Sequence, residues 1–275
     1  MIKKPFFGYG KPKLKYSVID PNTTMAVTEI SPPSGISLVI NPSEAPSDIV
    51  HVQVGDVVKT GQKVQPYEND MDYAVATTTG TISQISHHTG YLGKPYLTIE
   101  ITAEPKEEEW DGGFTEKGET ATAQTALAFL NQLPGSPNFP ALAREKPFPH
   151  TLVVMGTDRD LLVTTNQWFV VQEAGILDQG ISLLKKMFNL EKIVLAVPPH
   201  LEAGLVCNDA EVRSIGTTYP DGLPKIVAST ILERPIPAGV TVEEMGVVFI
   251  GAEAVVALAK AFDSGRIPVE KTFTV

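Results

Sequence analysis

The hydrophobic pattern changes in kind once along the chain, and that change restricts the folds open to it. Over residues 36–103 the apolar positions come in short β-branched runs broken by turn residues: ISLVI, DIVHVQV, QKVQ, YAVATT, GTISQIS and YLTIEI. Runs this short, punctuated this often, predict an all-β module. Over 121–275 the runs lengthen and two periods alternate. A helical Ala/Leu stretch at 121–133 is followed by strand-like TLVVMG, a helix at about 166–188, and strand-like EKIVLAVPP. HLEAGLVC can open another helix, and IVASTILE, MGVVFIG and AEAVVALAKAF complete the set. Strands alternating with helices predict an α/β layer of mainly parallel strands. The expected class is therefore α+β multidomain. Residues 104–120, carrying EPKEEEW and several glycines, read as an acidic linker, and the Pro-, Gly- and Lys-rich residues 1–35 as an extended arm.

Composition narrows the function classes. With 43% hydrophobic residues in 275, the chain can build a real core, and a formal charge of -10 argues against nucleic acid as the main partner. One cysteine, Cys207, makes no internal disulfide and cannot hold an iron–sulfur cluster, which takes about four thiolates. The first sixteen residues are broken by Pro5, Gly8, Gly10 and Pro12, unlike a signal peptide. No apolar run reaches the roughly 18 residues that span a bilayer. A cytoplasmic setting is expected, with any attachment to the inner face of the cytoplasmic membrane supplied by other subunits.

DIVHVQVGDVVKTGQKVQ followed by TTTGTISQI resembles the barrel-sandwich hybrid of biotinyl and lipoyl carriers. A carrier needs a lysine at its hairpin tip, and the corresponding residues 68–75, ENDMDYAV, contain none. The module is therefore expected to be structural.

A non-carrier sandwich, an acidic linker and an α/β domain in this order resemble the C subunit of the Rnf electron-transport complex and the related A subunit of the sodium-pumping NADH:quinone reductase. The residues that carry the resemblance are VINPSEAPSDIVHVQVGDVVKTGQKV, then YPDGLPKIVASTIL at 219–232, ERPIPAG, and GVVFIGAEAVVALAKAF. The resemblance implies an α/β domain like the flavin/NADH-binding fold of complex I, with FMN and NADH as cofactors. It places a cofactor loop at 134–140, where Gly135 and Phe139 match the family, and an acidic strand end at 155–160, where Gly156, Asp158 and Asp160 match. The match is incomplete. Pro137 removes an amide donor from the loop, each family Glu is an Asp, and Arg159 stands between the two acids. The family also continues past a strand like 271–275 into further domains, whereas this sequence stops there.

Two functions follow from the resemblance. In one, the chain is an electron-transfer subunit that binds FMN, takes hydride from NADH or electrons from a ferredoxin-like protein, and passes them to membrane subunits. In the other, it is a non-catalytic docking or assembly subunit in which cofactor binding has been lost. No residue is assigned a catalytic role and no metal site is expected. Asp158 and Asp160 end a strand, the edge where open α/β sheets bind ligands, but acids there also cap the segment that follows. His87 and His88 read as surface residues, since His51, His150 and His200 are scattered. Cys207 reads as a packing residue.

Overall fold

A computed structural model describes residues 27–41, 50–67, 73–104, 108–145, 148–160 and 163–274. Most of the expected 1–35 arm and the tip at 68–72 lie outside them. Pro32–Val275 forms one compact unit. That unit is of mixed α and β structure, as expected.

Among the described residues its first half builds six strands: β1 (Gly35–Ile40), β2 (Val57–Val58), β3 (Lys63–Val64), β4 (Ala74–Val75), β5 (Gly80–Thr89) and β6 (Pro95–Ala103). An antiparallel sheet runs β1-β6-β5-β2, and β3 pairs with β4. In β6, Leu97, Ile99 and Ile101 alternate with more exposed neighbours, the period that one buried sheet face demands. They pack with Leu38, Ile40, Val58, Val64 and Ile82. DIVHVQV, expected to be extended, forms no strand over its described residues 50–54. Val50 and Val52 still reach that core, but Gln53 and Asp56 close a turn, with the Gln53 amide donating to Asp56 Oδ2 at 2.8 Å. The turn captures the backbone groups a ladder would have used.

The stretch expected to be a linker is bonded in on both sides. The Thr60 amide donates to the Glu109 carbonyl and the Asp111 amide to the Thr60 carbonyl, a parallel bridge at Trp110. Phe114, a few residues on, is buried against Phe129 and Phe262.

The second half supplies α1 (Ala123–Phe129), α2 (Phe139–Leu142), β7 (Thr151–Met155), α3 (Thr165–Gln172), α4 (Ala174–Phe188) and β8 (Lys192–Val197). Then come α5 (Pro199–Glu202), β9 (Glu211–Ser214), α6 (Pro224–Leu232), β10 (Val247–Gly251) and α7 (Ala252–Ser264). The strands form one parallel sheet in the order β10-β7-β8-β9. Every residue of β7 is buried, because helices cover both faces, and this explains its unbroken apolar run. Side chains of α3, α4 and α7 fill the core on one face, and those of α6 the core on the other.

One expectation changes, one helix is short, and one strand is added. The single helix at 166–188 is two, separated at Glu173, which leaves helical geometry at φ -118° and ψ 26° and pairs with Lys260 of α7 at 3.1 Å. HLEAGLVC is helical only as far as Glu202. Strand β9 was not legible because EVRS is too short and too polar for a pattern to show.

Gly180 of α4 lies against α7 so closely that a Cβ there would sit 2.4 Å from the Val255 carbonyl oxygen. Helix propensity favours Gly180→Ala by about 1 kcal/mol. Overpacking should outweigh it, so the variant should be less stable by about 1–3 kcal/mol in urea unfolding.

Candidate functional site

In a parallel sheet a ligand crevice opens where connections from neighbouring strands diverge. Here the chain moves from β7 outward through β8 to β9, then returns to place β10 on the other side of β7. The divergence therefore lies between the C-terminal ends of β7 and β10, which lead into residues 156–160 and into α7.

Four segments of the chain meet at that point. The first follows β7. Asp158 accepts from the Asn166 amide, with both carboxylate oxygens at 3.2 Å, from Asn166 Nδ2 at 2.9 Å, and from the Gln167 amide. It thus serves as the anion at the N-terminus of α3. Burial pushes its carboxyl above the usual range, the Asn166 and Gln167 donors pull it back in part, and the Glu253 charge pushes it further up. The second segment is the start of α3, where Asn166 Oδ1 accepts from the Glu253 amide at 3.3 Å. One amide side chain therefore joins the ends of both strands.

The third segment is the start of α7. Glu253 has a side chain only 5% exposed, ion-paired with Lys271 and accepting from the Thr272 amide at 3.2 Å. These two donors belong to residues 271–274, which run on to Thr274, whose hydroxyl accepts from the Thr164 amide at 3.1 Å. The fourth is the loop at 134–138. Gly135 has φ +87°, and a Cβ on it would fall 2.5 Å from the Ala254 nitrogen. The glycine permits a close approach, and the partner it approaches is α7.

The residues expected at a cofactor site thus divide. Asp158 and Asp160 stand together after β7, with Asp160 exposed. Gly156 donates its amide to the Ala196 carbonyl, and Val170 of α3 fills the space beside it. Gly135 sits on α7, and Phe139 is wholly buried with its ring stacked on Phe188 at 6.1 Å. Sequence reasoning missed Asn166, Glu253 and Lys271. Only Glu253 left a signal, as the one acid in the apolar run AEAVVALAKAF.

Beside this junction, the loops after β7 and β9 enclose an open cleft of about 50 Å³, lined by Thr157, Asp158, Arg159 and Asp160 on one side and residues 216–220 on the other. The Thr157 hydroxyl is buried there without a partner. Elsewhere, Cys207 donates its thiol to Asp178 at 3.0 Å, and burial with that carboxylate pushes the thiol up to about 11, so it stays protonated. His88 stacks on Tyr96, and no group of three or more potential metal ligands occurs among the described residues.

Relatives with matching sequence are the C subunits of ion-translocating complexes. The C subunit of the ion-translocating oxidoreductase complex of Pectobacterium atrosepticum is 22% identical over 263 residues, covering 90% of this chain and 38% of that protein. The C subunit of the proton-translocating ferredoxin:NAD(+) oxidoreductase complex of Clostridium ljungdahlii is 21% identical over 244 residues, covering 82% and 53%. The Pasteurella multocida counterpart of the first is 25% identical over 244 residues, covering 81% and 29%. The chain spans between 29% and 53% of the length of these relatives. No protein-family model matches the sequence. The resemblance to the Rnf C-subunit family read from the motifs is borne out over most of the chain.

Two outcomes test the junction. Lys271→Ala leaves Glu253 buried without its cation and should cost roughly 2 kcal/mol in urea unfolding, less than for a fully buried pair because Lys271 is itself half exposed. Asp158 holds its proton more tightly in the folded chain than in the unfolded one. Its contribution is therefore full at low pH and is lost as pH rises from 3.8 to its raised folded value. The stability of the wild type relative to Asp158→Asn should fall across that window and then level off, as read from urea midpoints at each pH.

Proposed function

We propose that the chain belongs to an electron-transport complex of the ion-translocating oxidoreductase kind, where it serves in docking or assembly and not as the site of NADH oxidation. The likeness to the C subunits of such complexes supports the first half of this reading. The filled junction between β7 and β10 carries the second.

The residues present do not fit FMN or NADH. Nucleotide cofactors need backbone amides at a helix N-terminus and a glycine cradle left open. At the start of α7 the Glu253 amide is taken by Asn166, and the Gly135 cradle is filled by Ala254. The neighbouring cleft, about 50 Å³, falls well below the roughly 300–1,000 Å³ of typical ligand sites, and it presents two carboxylates where phosphates would need donors. On this reading residues 36–103 are a barrel-sandwich hybrid and 121–275 a flavin/NADH-binding fold kept as scaffold. Its partners are the other subunits of a membrane-bound complex, with a ferredoxin-like protein as the electron donor to that complex. Attachment to the membrane falls to those partners; among the described residues no helix is long and apolar enough to cross a membrane.

A titration with FMN followed by flavin fluorescence, then addition of NADH, tests this. No quenching up to about 1 mM, an affinity weaker than about -4 kcal/mol, is expected. Micromolar FMN binding that Asp158→Ala/Asp160→Ala abolishes would overturn the docking role and restore electron transfer at the β7 end.

A further inference from the structure

The sequence holds two Asp-Gly dipeptides, Asp111-Gly112 and Asp221-Gly222, and the fold turns their carboxyls in opposite senses. We propose that Asp111 is a site of spontaneous main-chain modification, where the side-chain carboxyl condenses with the Gly112 amide and the chain passes through a succinimide to isoaspartate. The inference is independent of the docking role.

The chemistry needs only water. The Gly112 nitrogen attacks Cγ of the protonated Asp111 carboxyl. The new N–Cγ bond closes a five-membered ring, and the amide proton leaves with the carboxyl hydroxyl as water. Water then attacks the former main-chain carbonyl of Asp111, breaks its bond to the Gly112 nitrogen and leaves a free α-carboxylate. The product has the same mass, but its main chain runs through Cβ and Cγ and is longer by one methylene.

The geometry at 111–113 favours this closure. Asp111 Oδ2 accepts from the Gly113 amide at 2.9 Å, so the carboxyl is turned forward along the chain, toward the nitrogen that must attack it. The same donor faces an oxygen that gains negative charge as the tetrahedral adduct forms. Gly112 and Gly113 are exposed, so water reaches both. Nothing lies within 4 Å of where a Cβ on Gly112 would stand, and a glycine backbone turns readily as the ring closes.

At Asp221 the carboxyl is turned back instead. Its Oδ2 accepts from the Thr218 hydroxyl at 2.8 Å and lies against Gly216, where a Cβ would fall 2.1 Å from it. Gly222 is hemmed in by the Asp158 carbonyl oxygen, 3.3 Å from its own Cβ position. Intramolecular rates follow the placement of the reacting atoms, so the same dipeptide should react at 111 and stay intact at 221.

Asp111 stands between two anchors. On one side Trp110 forms the bridge to Thr60, with Arg266 5.3 Å from its ring, and on the other Phe114 is buried. The added methylene falls in the exposed turn between them, so the modified chain keeps both anchors.

The test ages the whole chain at neutral pH and body temperature, beside a second sample unfolded in urea. Isoaspartate is counted by methyl transfer from S-adenosylmethionine with an isoaspartyl methyltransferase, and placed by electron-transfer fragmentation. In the folded chain position 111 should carry at least about tenfold more isoaspartate than position 221, and in urea the two should be alike. Asp111→Glu, which would have to close a six-membered ring, should lose the label at 111. The proposal is overturned if the folded chain forms no isoaspartate at 111, if it forms as much at 221, or if Asp111→Glu is labelled as the wild type is.

Discussion

The side chain of Asn166 is the contact on which the candidate site depends. Its amide nitrogen donates to Asp158 after β7, and its carbonyl oxygen accepts from the Glu253 amide after β10. A parallel sheet leaves amides at the start of the following helices unsatisfied, and that is why its C-terminal edge attracts anionic ligands. In this protein Asp158 and Asn166 supply the acceptors from within. Glu253, Lys271 and Thr272 then close the outer side. The edge that commonly holds a ligand here holds four pieces of the same chain.

On the docking reading proposed above, this arrangement keeps a scaffold while its site changes use. Glycine at position 135 meets the steric need of a cofactor loop, yet the space beside it belongs to Ala254. Phe139 keeps its place in the sequence and packs on Phe188 in the core. What remains open is the smaller cleft next door, lined by Thr157, Asp158 and Asp160 among others.

Much of the fold was legible because its signals are local. The runs TLVVM and KIVLAV show buried parallel strands, and alternation in PYLTIEITA shows one-sided burial. Two expectations failed within regular structure where contacts outside the pattern decide the outcome. Glu173 breaks a helix whose pattern continues, because α4 must turn to meet α7 and Lys260. DIVHVQV has strand composition, and a side-chain bond from Asp56 draws it into a turn. Of the site, the acidic strand end could be found from its spacing. The junction could not, since Asn166, Glu253 and Lys271 are 87 and 18 residues apart in turn and none carries a motif.

The most direct test of a junction filled from within is hydrogen exchange at the Glu253 and Thr272 amides, which donate to Asn166 and to Glu253. Both should exchange as slowly as the amides of β7, lose protection together in Asn166→Ala, and be indifferent to FMN at about 1 mM. Rapid exchange at Glu253 in the wild type, or slowing of that exchange by FMN, would mean that the helix start is open to a ligand and would contradict the account.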